Sequence, residues 1–190
     1  IAAEGGTNFN HMITIARSKS IWGPYDSCPH NPILTNAHDT SKEVQCSGHG
    51  DLVQDHLGNW WIVHLAIRLS RRTMSHLGRE TFMMPVTWED GWPKVGNNRK
   101  ATLECEGPLW SEQKAQKEWK ADFSHVNWEP EWIFLRRPNE SSYIRGDGRL
   151  RLYPRQVSLR DGKSPTFAAI RQRDFSCEVD IKYVFEPCQI

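Results

Sequence analysis

Between Gly48 and Arg68 the chain reads GHGDLVQDHLGNWWIVHLAIR, two strand-forming stretches around a polar His56–Asn59 break. Valine, isoleucine and tryptophan suit a pleated surface, and a Gly-Asn pair between such runs closes a hairpin. A strand near Asp51–Gln54 is therefore expected to turn back into a second strand from Trp60. The pattern recurs downstream. Leu77–Trp88, LGRETFMMPVTW, precedes an Asp90-Gly91 turn, and YIRGDGRLRLYP carries Asp147-Gly148 between two alternating halves. WIFLRRP and TFAAIRQRDFSCEVDIKYVF, Thr166–Phe185, also read as strands. No long stretch repeats apolar residues every 3.6 positions, so the expected class is all-β.

The remaining segments divide this pattern. HMITIARS, His11–Ser18, alternates as a half-buried strand does, and the glycine and prolines of Gly23–Pro32 make a long ordered loop. Ile33–Ser47 is polar and is expected to be a mobile loop. Glu112–Asp122, EQKAQKEWKAD, has helical preferences and reads as a linker or a single surface helix. This gives one domain over 1–108, a linker over 109–123 and a second domain over 124–190.

Charge and cysteine content exclude several classes. The 190 residues carry 24 Lys and Arg against 23 Asp and Glu, so no field draws a polyanion or an anionic membrane. Nucleic acid is disfavoured as a partner. The longest apolar run, Trp60–Ile67, is interrupted by His64 and falls well short of the roughly 18 residues a membrane helix needs. Five cysteines without close spacing argue against a zinc site, and their odd number leaves a thiol unpaired. Asn139 heads an N-E-S sequon. No cofactor or metal motif is present, and the compartment, cytoplasmic or secreted, stays open.

One short stretch points to chemistry. AEGGT, ending at Thr7, sets Glu4 before two glycines, where the backbone can turn sharply or let a ligand approach. A carboxyl shielded there would have a raised pKa and could deliver a proton near neutrality. On these residues alone a surface glutamate beside a glycine turn is the simpler account.

Taken together, AEGGT, HMITIARSKSIWGPY, HNPILTN, SGHGDLVQDHLGNWWIVHLA and LGRET resemble glycoside hydrolase family 43, in its β-xylosidase and α-L-arabinofuranosidase branch. The resemblance implies part of a five-bladed β-propeller followed by a partial concanavalin-like β-sandwich. It implies hydrolysis of terminal β-1,4-xylosyl or α-L-arabinofuranosyl bonds of an oligosaccharide with inversion, Glu4 acting as general acid. His49, in GHGD, becomes a substrate-site residue near the propeller axis, and Arg79, in LGRET, a contact to sugar hydroxyls. Inversion needs a protonated carboxyl and a water-activating carboxylate about 6.5–9.5 Å apart. No motif supplies the second one here, so the expectation is a fragment that is inactive alone. His11 also matches a position near the acid, but a solvent-facing role reads equally well and it is not assigned. Trp60, Trp61, Trp88, Trp92, Trp128 and Trp132 lie in or beside strands and are read as core rather than sugar platforms. The rival reading is a non-catalytic carbohydrate-binding propeller and sandwich. An open sheet edge also offers a route to a homo-oligomer.

Overall fold

The computed structural model describes residues 1–70, 75–107 and 118–186, with Ala3 and Glu4 described in their backbone alone. The described residues divide between two compact units, one drawn from 1–109 and 174–190, the other from 110–173. Among the described residues, all regular structure is β except one 3-10 turn at Glu140–Ser142. The helix-prone stretch Glu112–Asp122 falls largely outside the described residues.

In the first unit the strands are β1 (Ala2–Glu4), β2 (Met12–Thr14), β3 (Ala16–Arg17), β4 (Asp26–Ser27), β5 (Leu34–Thr35), β6 (Val44–Gln54), β7 (Trp60–Arg68), β8 (Glu80–Glu89) and β9 (Trp92–Val95). β6, β7, β8 and β9 form an antiparallel four-stranded sheet in chain order, and β1, β2 and β5 form a three-stranded one. β3 and β4 pair as a short ribbon. Both hairpins of the large sheet follow from their turn residues. Asp90 and Gly91 adopt φ of 51° and 72°, the left-handed pair that matches strand twist. At the other turn the Asp55 carboxylate accepts the backbone N–H groups of Leu57 and Asn59 and the Trp61 indole N–H at 2.9 Å each. These bonds, the indole's foremost, hold the Asp55 carboxyl at a pKa of about 2.

Alternation in β7 decides where the core lies. Ile62, His64 and Ala66 share one face and are almost fully buried, with Met84 and Val86 beside them. That face closes on Ile13, Ile33, Leu34 and Val44. Each fully buried aliphatic side chain contributes about 1.5–3 kcal/mol, so this seam holds the two sheets together. Trp61 and Trp92 belong to the core as expected, whereas Trp88 is 46% exposed and meets Trp60 edge-on at 5.5 Å.

The expected mobile loop Ile33–Ser47 is instead buried at both ends, with residues 38–43 mostly exposed between them. Asn36, Gln45 and Ser47 are fully or almost fully buried beside Ile33, Leu34 and Val44. The polar side chains are tolerated because backbone groups receive them. Asn36 Nδ2 donates to the carbonyls of Val44 and Ala101 at 2.7 and 2.9 Å, and its Oδ1 accepts the Ala101 N–H at 2.9 Å. Gln45 Nε2 donates to the Asp39 and Lys42 carbonyls.

In the second unit β10 (Trp132–Ile133) pairs with β13 (Ala169–Ile170), and β11 (Tyr143–Gly146) with β12 (Arg149–Leu152) across the Asp147-Gly148 turn. Its interior is aromatic around one cation. Arg145 donates to both carboxylate oxygens of Glu129 at 3.0 and 3.1 Å, donates to the Asn127 carbonyl, and sits 4.5 Å from the Trp128 ring centre. Trp132, Phe134 and Tyr143 meet Trp128 edge-on. The expected long strand over Thr166–Phe185 is reduced to Ala169–Ile170. Val179, Ile181, Tyr183 and Phe185, which fall in the first unit, keep their alternation but are exposed, since no described strand offers them a ladder.

Replacing Asn36 with Ala leaves two carbonyls and one N–H without their buried partner. The expected loss is roughly 3 kcal/mol in the urea-unfolding free energy of the chain. An unchanged midpoint would show that these bonds contribute nothing net.

Candidate functional site

The pairing of β6 with β7 contains two faults. Gln45 faces Ile67, Gly48 faces Leu65 and Asp51 faces Val63, so each step spends three residues of β6 against two of β7. Each fault is therefore a bulge with one extra residue, and bulges re-aim the side chains they contain. Cys46 lies in the first and His49 in the second, at φ of 54° and 51°. Neither is glycine. Left-handed non-glycine residues cost about 1–3 kcal/mol each, so the surroundings must impose this path.

The imposing group is His11, next to β2 and only 2% exposed. Its Nδ1–H donates to the Cys46 carbonyl at 2.9 Å. Its own backbone is fixed by N–H donation to Asn8 at 2.9 Å and by the Thr35 hydroxyl donating to its carbonyl at 3.0 Å. The Cys46 thiol donates to the Thr7 carbonyl at 3.2 Å, which ties the first bulge to the loop after β1. One buried hydrogen bond returns only about 1 kcal/mol. Packing must supply the rest, and a Cβ on Gly48 would lie 2.2 Å from His11 Nε2. The imidazole occupies the place of a missing side chain.

This path leaves His49 exposed on β6. With Gly50, Asp51, Ile1 and Ala2 it lines a cavity of about 270 Å³. His49 forms no hydrogen bond with the neighbouring Asp51, so the structural-pair account of this histidine has no contact behind it. Glu4 ends β1, in register with Met12, and β1 packs beside β6. Arg79 is exposed and immediately precedes β8, whose first residue pairs with Ala66. The cavity thus joins His49 to the first residues of Glu4's strand, and Arg79 is not among its lining residues. Glu80 is engaged elsewhere, accepting Arg68 Nε and Nη2 at 2.8 Å each, so an Arg79–Glu80 ion pair is not what holds this turn.

Sequence reasoning left His11 unassigned. The two glycines around His49 carried the signal, because a Gly-X-Gly within a strand marks close approach by another group. Behind the bulges two polar atoms, Ser47 Oγ and His64 Nε2, are buried without a partner. His64 stacks on Phe82 at 5.7 Å, and burial holds its pKa below the ordinary value of 6.5.

Antiparallel sheets that share one apolar core, with no α-helix among the described residues, define the class as all-β. The sequence profile described as glycosyl hydrolases family 43 matches residues 1–93, and that of the beta xylosidase C-terminal concanavalin A-like domain matches 120–189. A non-reducing end alpha-L-arabinofuranosidase of Bacteroides ovatus is 40% identical over 195 aligned positions, covering 98% of this chain and 36% of the relative. A xylosidase/arabinosidase of Butyrivibrio fibrisolvens is 36% identical, covering 98% of this chain and 37% of its own length. Among solved structures, a xylan beta-1,4-xylosidase from Bacillus halodurans superposes with a TM-score of 0.81 at 36% identity, over 91% of this chain and 34% of that one. The chain belongs to glycosyl hydrolase family 43. It spans about a third of the length of these relatives. Its two larger sheets are propeller blades, and the second unit is part of the concanavalin-like sandwich.

The buried His64 gives a pH prediction. Burial lowers its pKa in the folded chain, whereas the unfolded chain binds a proton near pH 6.5. Its contribution is therefore complete above that pH and declines as pH falls below it, until the lowered native pKa is reached. In urea melts from about pH 8 to pH 5, His64→Phe should lose a component of up to about 1.4 kcal/mol per pH unit that the parent chain shows. Identical pH profiles would contradict it.

Proposed function

We propose that this chain forms part of a glycoside hydrolase that releases terminal xylosyl or arabinofuranosyl units from xylo-oligosaccharide or arabinoxylan with inversion. His49 and Arg79 contact sugar hydroxyls and Glu4 is the general acid. The observation that carries the reading is His49, held off the regular ladder at a φ of 51° and facing a cavity beside β1. Strain of this kind persists where the surrounding structure over-determines it, and it clusters at ligand sites. Arg79 suits the sugar role because its guanidinium offers a rigid fork of donors. The role of Glu4 rests on its motif and on its place at the end of β1. No residue of this chain is assigned as the water-activating carboxylate.

One observation favours a second reading of Glu4. Counting back from the last strand of each sheet, β5 matches β9, β2 matches β8 and β1 matches β7. Glu4 then lies one strand further out than β6, which carries His49. In this reading Glu4 supports the site, and the proton donor sits on a strand that pairs with the free edge of β1.

Glu4→Gln in the enzyme containing this segment separates the two. A general acid matters most where the leaving group is poor. Loss of a true acid should leave hydrolysis of an activated aryl xyloside or arabinofuranoside within about tenfold and reduce that of xylobiose by about 100-fold or more. Equal losses on both substrates would overturn the acid role and favour the supporting one. Xylobiose binding by the unaltered enzyme with no hydrolysis of either substrate would instead favour a carbohydrate-binding module.

A further inference from the structure

We propose that His11 is a positioning residue for sugar binding, holding the two bulges of β6 in the arrangement that presents His49 to the cavity. The proposal rests on the reading of His49 as a substrate contact.

Three observations converge on His11. Its Nδ1–H reaches the carbonyl of Cys46, the left-handed residue of the first bulge, at 2.9 Å. Its Nε2 side lies where a Cβ on Gly48 would be, 2.2 Å from that virtual atom, so the ring spans the segment between the bulges. Its backbone is clamped on both sides, by Asn8 and by Thr35. His11 is thus an anchored brace rather than a passenger of the core.

The brace matters because strand register is binary for side-chain direction: a one-residue slip exchanges the two faces of a strand. β6 is fixed after Asp51 by its regular pairing from Asp51↔Val63 to Gln54↔Trp60, and before Gln45 by Val44↔Arg68. Only the five residues 46–50 can redistribute the two extra positions. If the first bulge lets go, the slack passes to the second, and His49 gives up its place on the cavity side. The hydrogen bond to Cys46 opposes that slip directly, because it is made to the carbonyl the slip would rotate.

The test uses the enzyme containing this segment, with labelled histidines. NMR would follow the His49 ring and the amides of Cys46–Gly50, and calorimetry would follow xylobiose binding, for the parent chain, His11→Ala, His11→Asn, His11→Gln and His49→Ala. Asn places an amide N–H near the position of Nδ1, whereas Gln carries it one bond further. The proposal expects His11→Ala to stay folded, to shift the His49 and bulge resonances and to weaken xylobiose binding about tenfold or more. His11→Asn should restore both readouts and His11→Gln should not. A folded His11→Ala chain with unmoved His49 resonances would overturn it. If His11→Ala fails to fold, equal His49 shifts in the Asn and Gln variants overturn it. Xylobiose binding unchanged in His49→Ala would defeat the substrate-contact reading alone, and the resonances would still decide the role of His11.

Discussion

Two residues of β6 have no side chain where the neighbouring sheet comes closest. A Cβ at Gly48 would meet the His11 ring at 2.2 Å, and one at Gly50 would meet Ile13 Cδ1 at 2.6 Å with Ile62 and His64 at 3.1 Å. The seam between the sheets can close only because both positions are glycine. Closing it buries Ile13, Ile62 and His64, the centre of the first unit's core. The residue between the glycines cannot share in that burial. It is turned out, at positive φ, to the cavity beside β1. Core packing and presentation of His49 are therefore one constraint seen from two sides.

Polar burial follows a common rule in both units. Where a strand ends inside the fold, a side chain takes over the hydrogen bonds that the ladder can no longer make. Asn36 does this between the start of β6 and Ala101, and Asn31 does it for Ile15, accepting its N–H at 2.9 Å and donating to its carbonyl at 2.8 Å. In the second unit Arg145 plays the part with a charge, joining Glu129 and the Asn127 carbonyl beneath an aromatic lid. The Tyr143 hydroxyl binds both the N–H and the carbonyl of Phe167, which fixes the chain leading into β13. Polar groups satisfied in this way specify geometry, whereas apolar contacts mainly reward closeness.

What the sequence made legible was local. The two turns Asp90-Gly91 and Asp147-Gly148 and the hairpin of β6 and β7 depend on neighbours a few residues apart, and all three formed where expected. Ile33–Ser47 was illegible because its burial is decided by partners far along the chain, Ala101 above all, and a polar composition says nothing about such partners. Val179–Phe185 misleads in the opposite sense: alternation equips a segment for a ladder but does not supply one. At the candidate site the motif pointed to His49, and the glycines beside it were visible. The bulges, the left-handed Cys46 and the role of His11 required knowing that β2 lies against that stretch of β6.

The seam is tested most directly by comparing the unfolding free energies of Gly48→Ala and Gly107→Ala in urea. Both substitutions remove the same backbone freedom from the unfolded chain. They differ in what the new methyl group meets, since nothing lies within 4 Å of a Cβ at Gly107. The account predicts that Gly48→Ala is less stable than Gly107→Ala by about 2–3 kcal/mol, the cost of forcing a group into a packed interior. Equal stabilities would mean that β6 has room at Gly48, and that the closeness of the two sheets is not what shapes the site.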